Sequence, residues 1–568
     1  MGRRSLIALL GIVALAATLR GFRLDELPPG FYLDEASVGV EAHAILTTGR
    51  DQAGQVPDRE TNALADLVKG RLLPRIIPAL QDWKHPLYIY ATVPSEAVFG
   101  QTPFAVRLPA VVFGVLTVLL LAFLAFELTG DARVAFLAAF VLAITPWHVH
   151  YSRTALSEGI TLPFTFVLAL WLYLRARRLG DARRFALAGA AFGLILYSYT
   201  PAKLLLPAFL AALALVEWLD ARVVNAIKKR ILDHVATLPA PPVKLPGMDE
   251  TPVPRVAVTR PDVVAFGTAF LLIIAPMVVA QIQNFEAIQT RFRAVSVFTA
   301  EHPLEAIVHS YLVHLDPGFL FVRGDANLRQ GVPGWGLLLL ASAPFVALGL
   351  LRALARHREP ESRLLFAWLV IYPLGAALTV EGIPHATRSI LAAPLFAILA
   401  AMGVALVLDR MLGARSRVLT VVLAVLILAG NAAWCFKDYF LDYARRPDVA
   451  RSWCAGVEKL IPELLARRGT LRRVHFVPLA VQKLEPSAWR SVAIVREHVL
   501  FFAGSDPSLD FFFTWDNAPS WGRLLAKLPR DEALVVWGNE QSGQPPYFVV
   551  RDGAGNVAFT VYRGFGQR

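Results

Sequence analysis

Two adjacent carboxylates, Asp34 and Glu35, follow Pro28-Pro29-Gly30 and precede Ala36, Val40, Ala44 and Ile45. The proline and glycine predict a turn, and the apolar spacing after it predicts a helix that the two acids open. A carboxylate so placed can orient or deprotonate a hydroxyl or an amine. The plain alternative is an acidic first turn that only complements the helix dipole. Further along stand cations that can hold an anion. Tyr151-Ser152-Arg153 precedes Glu158, Lys203 follows Pro201, and Ile383-Pro384-His385-Ala386-Thr387-Arg388 sets a histidine and an arginine three apart. Arg153 suits an anion while Glu158 orients it or holds an acceptor; the plain alternative is that the two only pair with each other. Proline at the two later helix starts leaves free backbone N–H groups that welcome a phosphate. Lys203 and Arg388 could instead simply snorkel to lipid headgroups. His148 and His150, two apart, diverge on a helix and make a poor metal pair.

These residues need a scaffold, and the composition says which kind. The chain has 568 residues, of which 56% are hydrophobic. Its apolar residues are gathered in runs such as Val111–Phe126, Phe266–Ala280, Leu337–Leu351 and Val418–Ala429, which approach the length that crosses a bilayer. The net charge of +12 comes from basic residues in short segments between those runs, the pattern of cytoplasmic loops rather than of a nucleic-acid surface. Leu6–Leu19 after Arg3 and Arg4 reads as a retained signal-anchor helix. Segment His85–Gly100 carries Pro94 and Glu96 and reads as interfacial, which turns Arg175–Arg184, Arg222–Arg230 and Arg352–Arg363 inward.

The expected class is therefore a polytopic α-helical membrane protein of about eleven spans, N-terminus in and C-terminus out. After the first helix the spans are drawn at 104–128, 134–149, 159–175, 184–199, 203–219, 263–281, 334–351, 364–380, 388–408 and 417–434. Residues 1–437 form the membrane module, with 21–103 as the first extracytoplasmic loop and the proline-rich 220–262 as a cytoplasmic connector, begun by an amphipathic helix at Ala221–Val235. A further helix is expected at Asn62–Lys69. Residues 438–568 read as a small extracytoplasmic α/β domain with strands at Arg473–Val477, Val499–Phe502, Phe511–Thr514, Leu534–Trp537 and a terminal hairpin, Tyr547–Arg551 with Val557–Tyr562. Cys435 and Cys454 lack metal-ligand spacing, and outside the cytoplasm a disulfide between them is permitted.

A carboxylate opposed by phosphate-directed cations at a lipid boundary describes sugar transfer from a polyprenyl phosphate. The residues also resemble a family. Asp34-Glu35 in the first outer loop, Lys84-His85-Pro86-Leu87, Arg107-Leu-Pro-Ala, Tyr151-Ser-Arg153 with Glu158, and His385-Ala-Thr-Arg388 resemble the GT-C glycosyltransferases of the protein O-mannosyltransferase and aminoarabinose transferase type, over roughly residues 1–430. The resemblance implies a GT-C-like multi-span module with its catalytic acid in the first external loop and a polyprenyl-phosphate sugar donor. It assigns the acid to Asp34, its neighbour to Glu35 and a second acid to Glu158, and places Lys84, Arg153, Lys203, His385 and Arg388 around the donor phosphate or sugar. The expected acceptor is an extracytoplasmic protein, glycolipid or polysaccharide, the transfer is inverting, and the location is the inner or plasma membrane. No resident metal or other cofactor is demanded, although a divalent metal is admissible. The competing expectation, a flippase for polyprenyl-linked glycans, calls for charges inside the spans and helices broken near the midplane.

Overall fold

The computed structural model describes residues 3–52, 77–79, 82–156, 159–235, 258–283, 285, 296–379, 382–410, 414–477, 488–504, 508–515 and 521–566. Helix α1 (Arg3–Gly21) leads through a turn into α2 (Leu33–Thr48). Tyr32, in extended conformation, precedes α2, and its N–H donates to Glu35 Oε2 at 3.2 Å. The glutamate three places in thus satisfies a backbone donor at the helix entrance. Gly49, at φ 71° in the left-handed region, stops the helix at its other end. Two short strands, β1 (Ile77–Ala79) and β2 (Asp82–Lys84), pair antiparallel and deliver the chain to α3 (Pro86–Phe99). At fourteen residues α3 is about 21 Å long, short of the bilayer's apolar thickness. Helix α4 (Pro103–Thr129) follows, with Thr102 accepting a hydrogen bond from the Ala105 N–H at 3.2 Å.

The helical membrane class stands, but the spans are less uniform than eleven runs suggest. Among the described residues six helices are long and apolar enough to cross a bilayer: Arg3–Gly21, Pro103–Thr129, Ala202–Asp220, Arg260–Gln283, Ala392–Arg410 and Arg415–Arg445. Several other runs are broken. Pro146 divides the run at 134–149 into Ala132–Ile144 and Pro146–Tyr151, and the run at 184–199 ends in a 3₁₀ turn, Ile195–Tyr197. Pro373 separates Pro360–Ile371 from Leu374–Ala377. Proline lacks the amide that would carry the helix through, so hydropathy continues where the helix does not. The amphipathic helix expected from Ala221 is the continuation of one helix, Ala202–Val235; the segment Asn62–Lys69 lies outside the described residues.

The C-terminal part holds a five-stranded mixed sheet of β3 (Arg473–Phe476), β4 (Phe513–Trp515), β5 (Glu532–Trp537), β6 (Phe548–Arg551) and β7 (Val557–Arg563), in the order β4-β3-β5-β7-β6. β3 runs parallel to β4 and β5, and the terminal hairpin is antiparallel. The expected strand at Val499–Phe502 is instead part of a helix, Ala488–Ala503. Its buried residues Ile494, Val495, His498 and Phe501 recur every three to four positions, a helical period that four residues read alone disguise. This helix packs against α2, so one apolar core runs from the membrane helices through α2 to the sheet. Cys435 and Cys454 are both buried, and among the described residues no disulfide joins them.

Candidate active site

The turn ahead of α2 carries many backbone carbonyls, and buried arginines hold it. Arg107 donates to the carbonyls of Leu24, Pro28 and Gly30 at 3.2, 3.1 and 2.7 Å, and to both carboxylate oxygens of Glu35 at 2.9 and 2.8 Å. Neither side chain is exposed. Glu35 also accepts from the Ala155 N–H at 3.1 Å. Arg153 donates to the carbonyls of Leu19, Arg20, Phe22 and Leu27 at 2.7–3.1 Å and lies over the rings of Tyr439 and Phe440. Arg20 binds the carbonyls of Ala143 and Leu142 and Nδ1 of His148. Guanidinium offers five donors in a rigid fork, which suits a turn whose carbonyls have no strand or helix partner.

This frame leaves Asp34 as the acid that faces outward from the start of α2. Its carboxylate is 25% exposed and lies 3.4 Å from Lys84 Nζ, whose side chain is 9% exposed. Contacts run from this pair around a ring. Lys84 precedes His85, which is buried; burial, with Lys203 adding to it, pushes His85 down to about 3, so its ring is neutral. A Cβ added to Gly375 would fall 2.8 Å from the Arg388 carbonyl and 3.2 Å from Pro201, so the turn before Lys203 and the Arg388 turn both pack on Gly375. Arg388 donates to Thr379 and lies in the field of His385, whose Nε2 is 3.4 Å from Gln330 Nε2. Arg329, next to Gln330, stacks 4.0 Å over the ring of Tyr32 and so returns to the start of α2. Tyr151 and Thr387 are hydrogen-bonded at 2.6 Å beside this ring.

Several sequence expectations change here. Arg153 is absent from the ring, because its guanidinium is consumed by backbone carbonyls. Glu35 is turned into the frame with both oxygens engaged. Glu158 lies outside the described residues. The cradle of open amides is also missing. The His385 N–H donates to His314 Nε2 at 2.9 Å and the Ala386 N–H to Asp325 Oδ2 at 2.8 Å, and the helix they begin has four residues. At the other start the N–H groups of Ala202, Lys203 and Leu204 are taken by the carbonyls of Tyr199, Thr200 and Pro201. An anion in this ring would be met by side chains. Of the expected site residues, Asp34 and Lys84 lie side by side, and the turns that carry Lys203 and Arg388 have Gly375 as a common neighbour.

Three further carboxyls occupy partly or fully buried positions. Burial pushes Asp325 up to about 6, against the N–H groups of Ala386 and Asn327 and the charge of Arg329. Glu41 and Glu497 lie beyond Lys84. Burial pushes Glu41 up to about 7; Asp51 and Glu497 add to this while the Gln52 N–H and Lys84 oppose it. Burial likewise raises Glu497 to about 7, opposed by Arg496 and Lys84. Glu41 stands seven residues after Asp34, two turns along one helix face, which is a signal the sequence did contain. Among the described residues no three His, Cys, Asp or Glu side chains converge as ligands for a metal ion.

Residues 84–238 match the family described as dolichyl-phosphate-mannose-protein mannosyltransferase. No curated protein matches the sequence. Among solved structures, ArnT from Cupriavidus metallidurans in the apo state is similar in fold, with 14% identity and a TM-score of 0.52 over 98% of each chain. The same protein bound to undecaprenyl phosphate gives 14% identity and a TM-score of 0.50, over 99% of this chain and 98% of that one. The archaeal oligosaccharyltransferase AglB from Archaeoglobus fulgidus, in complex with an inhibitory peptide and a dolichol-phosphate, is 14% identical with a TM-score of 0.47. This chain covers 64% of the oligosaccharyltransferase, less than two thirds of its length. The likeness to ArnT runs nearly end to end and gives the fold: an ArnT-like helical module followed by a small sheet-containing domain.

Proposed function

We propose that the protein transfers a sugar from a polyprenyl-phosphate donor to an acceptor on the extracytoplasmic side of the membrane, with Asp34 as the catalytic carboxylate. The observation that supports this reading is the outward Asp34 carboxylate 3.4 Å from the Lys84 ammonium at the start of α2, with the turns that carry Lys203 and Arg388 both packed on Gly375. The family matched by residues 84–238 and the undecaprenyl phosphate bound by ArnT support a lipid phosphate as the donor's anchor.

In this reading the acceptor's oxygen or nitrogen attacks the anomeric carbon while Asp34 takes its proton. The bond from that carbon to the phosphate oxygen breaks, and its electron pair departs with the lipid phosphate. Arg388, Lys203 and Lys84 offset the growing phosphate charge in a partly buried site, where such charges act more strongly than in water. A single displacement of this kind inverts the anomeric centre. Glu35 serves by fixing the entrance of α2, and Arg153 by fixing the turn before it. A flippase would need unengaged charges along its spans, whereas the buried Arg20 and Arg107 are bound to carbonyls and to Glu35. Asp34→Asn tests the reading: transfer from a radiolabelled polyprenyl-phosphate sugar should fall at least about 100-fold with expression unchanged. Wild-type turnover in that variant refutes the assignment.

A further inference from the structure

Helix Pro303–Val313 lies in the chain between the span Arg260–Gln283 and the turn that carries His385 and Arg388. Eleven residues make it about 16 Å long, too short to cross a bilayer. Its residues sort onto three faces, since positions three or four apart share a side of a helix. Ser310 and His314, which caps the helix, are buried: Ser310 Oγ meets the Ala376 carbonyl, and the Tyr372 hydroxyl donates to the His314 carbonyl at 2.7 Å. Glu305 and His309 make an exposed polar face. Leu304, Val308 and Leu312 make the third, which is apolar and 75%, 49% and 58% exposed.

A stripe of large apolar side chains is costly wherever water meets it, and the neighbouring surface shows what covers this one. Tyr311, three places after Val308 on the same side, donates its hydroxyl to the Val370 carbonyl at 2.8 Å. Val370 is itself 57% exposed and belongs to Pro360–Ile371, an apolar helix packed beside the one that holds the span Ala202–Asp220. The exposed apolar surface of the membrane helices therefore continues onto Leu304, Val308 and Leu312. Glu305 and His309 stand at its edge, the pattern of a helix lying where headgroups meet acyl chains. A protein seated on the stripe would bury those two polar side chains with it. No Lys or Arg occurs between Ser296 and Val322, so the hold is apolar and not a pull toward anionic lipid. We propose that Pro303–Val313 is seated in the bilayer boundary on uncharged lipid, and that this seat sets the height of the His385–Arg388 turn above the acyl chains. The link is His314: its Nδ1–H donates to the Ser310 carbonyl at 2.5 Å, which leaves Nε2 to accept from the His385 N–H at 2.9 Å. The coupling to the turn rests on the transferase reading above; the seat itself does not.

The test uses the full-length protein in phosphatidylcholine nanodiscs. Leu304→Cys, Val308→Cys, Leu312→Cys, Glu305→Cys and His309→Cys are each spin-labelled, and the parent protein with its buried Cys435 and Cys454 gives the background. Relaxation by oxygen is compared with relaxation by a water-soluble nickel chelate. Oxygen should dominate by at least about threefold at the three apolar positions and nickel at Glu305 and His309. Added salt or phosphatidylglycerol should leave that contrast unchanged. Nickel dominance at all five positions overturns the seat, and so do labels shielded from both reagents, the sign of a protein cover. A contrast that needs phosphatidylglycerol overturns the uncharged hold. In the transfer assay the double variant Leu304→Gln/Leu312→Gln, changed only at exposed positions, should raise the donor KM about fivefold at an unchanged melting temperature; an unmoved KM overturns the coupling to the turn. If the oxygen pattern holds but the wild-type protein transfers no sugar, the seat stands and the transferase reading fails.

Discussion

Arginine does two different jobs in two parts of this molecule. In the frame, Arg107 and Arg153 are wholly buried and bind the backbone of the turn that leads into α2. On the ring, Arg388 is only partly buried and sits with His385 and Thr379, on a turn that packs on Gly375. Adjacent acids divide in the same way, Glu35 into the frame and Asp34 onto the ring. Residue type alone therefore does not say whether a charge holds the site or forms it. Burial and the partner decide.

Four measurements bear on this comparison, beginning with the largest effect. Arg107→Met leaves Glu35 charged, buried and unpaired, and should cost about 3–5 kcal/mol, seen as a large fall in melting temperature in detergent with loss of folded protein. A stable R107M protein breaks the distinction. Arg388→Met should do the reverse, lowering transfer by about 100-fold while the melting temperature stays within a few degrees. Asp325→Ala removes the acceptor for the Ala386 N–H and should loosen the His385–Arg388 turn by about 1 kcal/mol. Its readout is a rise of roughly fivefold in donor KM with the fold intact.

The smallest effect concerns pH. Glu41 and Glu497 are raised to about 7 in the folded protein from an ordinary 4.5. The folded state therefore holds more protons than the unfolded one between those values. Their contribution to stability is full below about 4.5 and is lost as the pH rises through about 7. Hydrogen exchange at the interface of α2 with Ala488–Ala503 should accordingly speed up between about pH 6 and pH 8, and the double variant E41Q/E497Q should flatten that change. An equal rise in the double variant assigns the pH response to other groups.

Local chemistry in the sequence was enough to show a multi-span membrane protein, the helix opened by Asp34 and Glu35, and all five strands of the C-terminal sheet. Hydrophobic runs, a proline-glycine turn and alternating strand patterns are short-range signals that survive in one dimension. The same signals misled where a run outlasts its helix, as at Pro146, and where Val499–Phe502 borrows a strand's look from one stretch of a helix. What lay beyond them was pairing at long separation. Nothing near Arg153 announces that the carbonyls of residues 19–27 will use its donors, and nothing near His498 points to the Phe31 carbonyl more than 400 positions earlier. Those partnerships exist because a buried charge or an unpaired carbonyl must be satisfied by whatever the fold brings within about 3 Å, and only tertiary packing chooses what that is.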